Sequence, residues 1–154
     1  GNYAASLRPA DRAQADGYSS ILFLDAKEKK YIDEAGPANF FGIKNNTYVT
    51  PKSHTILPSI TNKSIEIIAT DLGLSVERRP VAVEELETFE EVGACGTAAI
   101  ISPIKKIVDR ETKKVYSYGE KAGPVSTKIY ETLKGIQEGR IEDKHGWTTV
   151  LEGL

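Results

Sequence analysis

Three short stretches of this 154-residue chain carry residue types that can do chemistry. The first is Glu34-Ala35-Gly36-Pro37-Ala38-Asn39-Phe40-Phe41, an acid that ends an apolar strand-like run and is followed five residues later by an amide and two aromatics. A carboxylate placed there, between tight turns, can pair with a buried cation and stay ionised. The same spacing also fits a solvated acid after a strand. The second is Leu57-Pro58-Ser59-Ile60-Thr61, a turn that feeds an apolar-periodic segment. A helix start presents unpaired amides and positive potential, which suits a phosphate, and the Ser59 and Thr61 hydroxyls add donors. Taken alone, those hydroxyls also fit simple helix caps. The third is Cys95-Gly96-Thr97-Ala98-Ala99. Glycine allows close backbone approach there, and successive turn amides can form an anion-binding nest. An ordinary small-residue β-turn is the plainer reading.

These residues need elements to hold them. Tyr3 to Asp16 reads as a helix with Ala4, Leu7, Ala10 and Ala13 at helical spacing. Pro9 must sit in its first turn or kink it, and Gly17 suits its C-cap. Ser20 to Asp25 predicts a buried strand, Lys27 to Lys30 a charged turn, and Tyr31 to Glu34 a second strand. Asn45-Asn46 predicts a hairpin between Phe40–Lys44 and Thr47–Thr50, because asparagine tolerates the positive φ of such a turn. After a loop from Pro51 to Pro58, Ile60 to Leu72 predicts an amphipathic helix with Ile60, Ser64, Ile67, Ile68 and Leu72 on one side. Ser59 or Thr61 can cap it, and Gly73 ends it.

Ser75–Arg79, Glu91–Ala94, Ala99–Ser102, Lys106–Val108 and Lys114–Tyr118 predict further strands, with Leu86 in a short helix. Gly123-Pro124 opens a last helix, Val125 to Gln137, with proline suited to a first turn. The tail, 142–154, carries the only tryptophan, Trp147. Mixed elements without repeats or linkers imply one α+β domain.

Composition narrows the functions available. Apolar residues make up 40% and charged residues 27%, and the net charge of −2 argues against a nucleic-acid binder. No apolar run is long enough to span a membrane, and no signal peptide leads the chain. Cys95 is the single cysteine, so no internal disulfide is possible and a cytoplasmic setting is expected. It reads as a buried structural residue, since His54 and His145 stand apart in sequence and no motif pairs it with a base. Metal-ligand spacing is absent. The chain has no methionine, so Gly1 is expected not to be the natural start.

The three stretches, in this order and at these intervals, resemble the class IV (fold-type IV) pyridoxal-phosphate aminotransferases, and the branched-chain aminotransferases in particular. Gly1-Asn2-Tyr3 at one end and Gly123-Pro124-Val125-Ser126, Gly135-Ile136-Gln137 and Glu142-Asp143-Lys144-His145-Gly146-Trp147 at the other extend the likeness to the whole chain. The sequence departs from the family pattern at Ser59 (commonly glycine), at Asn62 (usually basic) and at Tyr48 (usually aliphatic).

The resemblance implies the family's large, C-terminal cofactor-binding domain over residues 1–154, a mixed-sheet pseudo-barrel flanked by helices. It implies pyridoxal 5'-phosphate as cofactor. Glu34 and Asn39 would bind the cofactor, Glu34 at the pyridine nitrogen, and Tyr3 would donate to the phenolic oxygen. Ser59, Ile60 and Thr61, with Gly96 and Thr97, would hold the phosphate, and the Thr97 and Ala98 amides the substrate carboxylate. The cofactor-binding lysine is expected just before Gly1, in a Lys-x-Gly-Gly-Asn-Tyr run, so no catalytic residue is expected within the chain. Further implications are branched-chain amino acids and 2-oxo acids such as 2-oxoglutarate as substrates, a missing N-terminal domain that supplies a phosphate-binding arginine, and a homo-oligomer, with no nucleic-acid or membrane partner. The chain alone is expected to be inactive. Within the same fold, D-amino-acid aminotransferases and aminodeoxychorismate lyases are the alternatives; outside enzymes, a module that binds pyridoxal phosphate or phosphate non-covalently is another. Some animal members carry a Cys-x-x-Cys redox pair after the Gly-Thr-Ala turn; Ala99 and Ser102 stand there instead, so no such switch is expected.

Overall fold

A computed structural model describes residues 4–151. At its centre is β3 (Ala38–Lys44), whose residues 39–43 are all buried. Successive strand side chains point to opposite faces, so the adjacent phenylalanines divide between two cores. Phe41 stacks on Tyr48 with ring centroids 5.2 Å apart, and Phe40 meets Phe89 edge-on at 6.2 Å. Phe40 and Phe41, both fully buried, each contribute about 1.5–3 kcal/mol of transfer free energy.

The remaining strands build outward from β3. Antiparallel neighbours are β2 (Ile32–Ala35) and β4 (Thr47–Pro51), joined by Gly36-Pro37 and Asn45-Asn46 respectively, and β6 (Glu91–Gly96). Asn45 and Asn46 have φ of 47° and 55°, the left-handed backbone that the two-residue hairpin requires. β1 (Leu22–Leu24) pairs with β2, and β7 (Ile100–Pro103) with β6. β5 (Ser75–Arg79) joins β4 in parallel through the crossover helix α2 (Ile60–Asp71). A separate ribbon pairs β8 (Lys106–Val108) with β9 (Val115–Ser117). One core packs α2 and α3 (Pro124–Gln137) on the sheet; the other lies on the opposite face, beneath a 3-10 turn, Val83–Thr88, and Tyr116.

The α+β architecture agrees with expectation. The mixed sheet flanked by helices agrees as well, and among the described strands it is not a closed barrel: it ends in β1, β5 and β7 and branches at β3. Three local expectations also change. The first helix, α1 (Ala4–Ala15), holds Pro9 in its interior and buries no residue, so its small apolar face meets no core. β1 is a half-buried edge strand instead of a buried one. The buried face of α2 is Asn62, Ile65, Ile68 and Ala69, whereas Ile60 is 75% exposed and Ile67 41%. Rotation of the helix by about one residue separates the two readings, and the polar Asn62 disguised the true face.

One ion-pair cluster ties the second core's rim. The Glu85 carboxylate accepts from Arg79 Nη1 and Nη2 at 2.8 and 2.9 Å and from Lys44 Nζ at 3.0 Å. The Arg79 guanidinium, more than any other group, holds this carboxyl down to about 2. A carboxyl depressed in the folded state stabilises above its unfolded pKa, near 4.5, and that stabilisation is lost as pH falls toward about 2. Glu85→Gln is therefore expected to cost about 1 kcal/mol at pH 6, allowing for screening at this partly exposed site. The gap from wild type should close by pH 2, as read from urea midpoints at each pH. A gap independent of pH would contradict this assignment.

Candidate active site

The β2–β3 hairpin fixes the first two candidate groups opposite one another. Glu34 pairs with Asn39 and Ala35 with Ala38, leaving Gly36 and Pro37 as the two-residue turn. Gly36 sits at φ 59°, and its N–H donates to Ile21 O at 2.8 Å, so a residue with a side chain would be strained there. Asn39 in turn pairs with Cys95 of β6, and Cys95 with Ile101 of β7. A single row across four strands therefore joins the Glu34 acid to the turn that begins at Gly96.

The second turn is brought to the same row by Leu57. Asn39 Nδ2 donates to Leu57 O at 3.3 Å, and the Leu57 N–H lies near enough to the Glu34 carboxylate to favour its charged form. Asn39 thus fastens Leu57 through its carbonyl, and Glu34 lies beside the amide of the same residue. Two residues on, Ser59 is the N-cap of α2, with φ −93° and ψ 129°, and its Oγ accepts from Asn62 N at 3.1 Å. The Lys63 N–H donates to Ser59 O at 3.1 Å. Helix geometry leaves the Ile60 and Thr61 N–H groups without an intrahelical acceptor, and the Ser59 hydroxyl keeps its proton to donate.

Electrostatics at Glu34 run against ionisation. Burial raises its proton affinity most, the charge of Asp33 adds to the effect, and the Leu57 N–H opposes it. A half-buried carboxyl of this kind gains from a facing cation. Asp33 itself accepts from Thr55 Oγ1 at 2.8 Å through one oxygen, while the other is buried without a partner among the described residues.

Thr97 and Ala98 form the exposed tip between β6 and β7, beside Gly96, which pairs with Ile100. A Cβ added at Gly96 would come no closer than 3.9 Å to another side chain, so the glycine is not required by crowding within this chain. Ile100 has φ 58°, and Ile101 N donates to Ala99 O at 2.6 Å. A β-branched residue in that backbone region is strained, and strain of this kind clusters at functional turns.

The structure thus sets Glu34 opposite Asn39, ties Asn39 to the turn that leads to Ser59, Ile60 and Thr61, and places Gly96, Thr97 and Ala98 at the end of the strand paired with Asn39. Tyr3 lies outside the described residues. Cys95 is buried and its thiol is pushed up to about 12 by desolvation, in line with a structural role. Two cavities of about 290 and 210 Å³ lie elsewhere, one between β7 and α3 lined by Ile101, Ser126 and Tyr130, the other beside Tyr116. The candidate site is an open surface instead: Leu57, Ile60, Thr97 and Ala98 are all exposed. Among the described residues no group of three metal-ligating side chains converges, and no helix is long and apolar enough to cross a membrane.

Sequence reasoning missed Asn62 as a buried member of this neighbourhood. It is 1% exposed; its Oδ1 accepts from Tyr48 Oη at 2.7 Å and its Nδ2 donates to Thr50 Oγ1 at 3.0 Å. The departures from the family pattern at positions 48 and 62 are therefore one contact. The signal was available in the spacing of Asn62 with Ile65 and Ala69, which puts an amide on an apolar face.

The family model for amino-transferase class IV matches residues 1–107, more than half of the chain, and the chain belongs to that family. Its named relatives are more particular. It is 43% identical to the branched-chain-amino-acid aminotransferase of Haemophilus influenzae, over 99% of this chain and 46% of that protein. It is 44% identical to the Helicobacter pylori protein of the same name, over 96% of this chain and 43% of the other. Among solved structures, the branched-chain amino acid aminotransferase of Escherichia coli aligns with a TM-score of 0.81 and 34% identity, over 95% of this chain and 46% of that one. The T.th. branched-chain amino acid aminotransferase, solved with pyridoxamine 5'-phosphate, aligns at 0.81 and 30%, over 96% and 47%. The chain spans just under half the length of the relatives it matches.

Proposed function

We propose that the protein containing this chain transfers amino groups between branched-chain amino acids (Leu, Ile, Val) and 2-oxoglutarate with pyridoxal 5'-phosphate, and that this chain is its C-terminal cofactor-binding domain. The observation that carries the reading is the Asn39 hydrogen bond to Leu57 O, which sets an acid with raised proton affinity, Glu34 opposite Asn39, beside the turn that leads into a helix start. The donor set fits the cofactor's two ends: a carboxylate in want of a cation suits a protonated pyridine nitrogen, and free helix-start amides with a serine cap suit a phosphate. When bound, the cofactor withdraws electrons from the substrate α-carbon.

In this reading Glu34 holds the proton on the pyridine nitrogen, Asn39 keeps the Leu57 turn in place, and Tyr3 donates to the phenolic oxygen. Ser59, Ile60, Thr61, Gly96 and Thr97 bind the phosphate, Ile60 through its amide since its side chain points to solvent. The amides of Thr97 and Ala98 orient the substrate carboxylate. The open face of the site calls for further walls, which the N-terminal domain and a second subunit of a cytoplasmic homodimer would supply. The covalent cofactor lysine is not among the residues assigned here.

Two measurements test this. The intact protein, given leucine, isoleucine or valine with 2-oxoglutarate, is expected to form glutamate; activity confined to D-amino acids, or lyase activity without amino transfer, would overturn the substrate assignment. The 154 residues alone, mixed with pyridoxal phosphate, leucine and 2-oxoglutarate, are expected to give no glutamate above background. Turnover matching the intact protein would show that the chain holds its own catalytic base.

A further inference from the structure

We infer that Tyr48 and Asn62 are positioning residues that set the pose of the α2 N-terminus on the sheet, and through it the aim of the Ser59–Thr61 donors. The inference rests on the reading of that helix start as the phosphate end of the site.

The geometry is a continuous buried chain of hydrogen bonds. Phe40 O of β3 accepts from Thr50 Oγ1 at 3.0 Å, and Thr50 Oγ1 accepts from Asn62 Nδ2 at 3.0 Å. Asn62 Oδ1 accepts from Tyr48 Oη at 2.7 Å. Tyr48, Thr50 and Asn62 are each 1% exposed or less. The Asn62 backbone N–H is also the group that the Ser59 cap binds. One residue therefore joins the cap through its backbone to the sheet through its side chain. Asn39 fixes the other side of the turn by holding Leu57 O.

Apolar packing alone would leave the first turn of α2 less determined. Ile60, at its start, is exposed, and the nearest buried apolar residue, Ile65, lies more than a turn further on. Hydrogen bonds have the directionality that apolar contacts lack, and a buried hydrogen-bonded network favours one arrangement. Tyr48 is further held by its stack on Phe41, so its hydroxyl is a fixed reference point. The same site would tolerate two apolar groups by volume, but they would not fix the helix's angle.

The test uses this chain with inorganic phosphate and pyridoxal phosphate as probes, comparing wild type, Tyr48→Phe and Tyr48→Phe/Asn62→Leu. Val81→Ala, buried in the core on the opposite face of the sheet, controls for general destabilisation. Amide exchange and probe affinity are read in each. Tyr48→Phe is expected to weaken probe binding roughly 10-fold and to speed exchange at Asn62, Lys63 and Ser64 by a similar factor, leaving the last turn of α2 unchanged. The double variant, which removes both polar partners, is expected to recover thermal stability but neither affinity nor first-turn protection. Val81→Ala should speed exchange throughout without selecting the first turn. Unchanged first-turn exchange in Tyr48→Phe, or affinity that returns with stability in the double variant, would overturn the inference. If wild type binds neither probe, the phosphate reading fails, and the exchange pattern still decides whether the two side chains hold the helix.

Discussion

Replacing Glu34 by glutamine in the intact protein is expected to lower kcat/KM by about 10²- to 10³-fold, the loss typical when a pre-placed electrostatic partner of developing charge is removed. Glutamine keeps the size and an acceptor oxygen beside the Leu57 N–H, and Asn39 still holds Leu57 O, so the turn should stay in place. What it loses is the charge that keeps a pyridine nitrogen protonated. Glu34→Asp, which retains charge but shortens the reach, should fall between the two. The carboxyl itself supplies a second readout. Burial and the neighbouring Asp33 raise its pKa in the free chain, so its ionisation opposes folding, and the stability it contributes falls as pH rises through the raised value. A bound cation reverses the sign of that shift. Carbon-13 titration of Glu34 should therefore show a value above the ordinary glutamate range without pyridoxal phosphate and below it with the cofactor bound. Full activity in Glu34→Gln, or a Glu34 titration that ignores the cofactor, would remove this residue from the site.

The largest structural loss is expected at Glu91. This residue begins β6, opposite Ile43, and is 8% exposed. Its two oxygens accept from Val125 N at 2.9 Å and Ser126 N at 2.8 Å, the first free amides of α3 after Pro124. A carboxylate at a helix N-terminus gains from both hydrogen bonds and helix dipole. Glu91→Ala leaves two amides unpaired, that of Val125 part-buried and that of Ser126 buried, and should cost about 3 kcal/mol, or a fall in melting temperature of about 6–12 °C. Gly123→Ala should do comparable damage by another route, because a Cβ at position 123 would overlap the Glu91 carboxylate itself. Glu91→Gln, which keeps one acceptor, should lose less. The site should respond as well, since α3 packs on β6 and β7, the strands that carry the Gly96–Ala98 turn. Melting of Glu91→Ala within about 2 °C of wild type, by circular dichroism, would show the cap to be dispensable.

Local chemistry made much of this chain legible in advance. Asn45-Asn46 could only be a turn of positive φ, Ser59 and Gly73 bracket α2 as their types require, and Pro124 opens α3. The order and spacing of the motifs at Glu34, Leu57 and Gly96 identified the family, because these are short-range patterns written in adjacent residues. The side of each helix that meets the core was less accessible. α1 has helical spacing of small apolar residues yet buries none of them, and α2 turns Asn62 inward and Ile60 outward. Periodicity ranks faces by apolarity, but a face is chosen by what lies opposite it.

Sequence alone determined the elements, the turn chemistry and the residue types at the candidate site. Only the tertiary structure decided that Asn39 binds the Leu57 carbonyl, that Tyr48 and Asn62 form one contact, and that Glu91 caps a helix that starts 33 residues after it. Each of these joins groups far apart in the chain through a hydrogen bond of about 3 Å, and such a bond depends on how strands register and helices rotate. Those quantities are set by packing the whole core at once, so no local stretch of residues contains them.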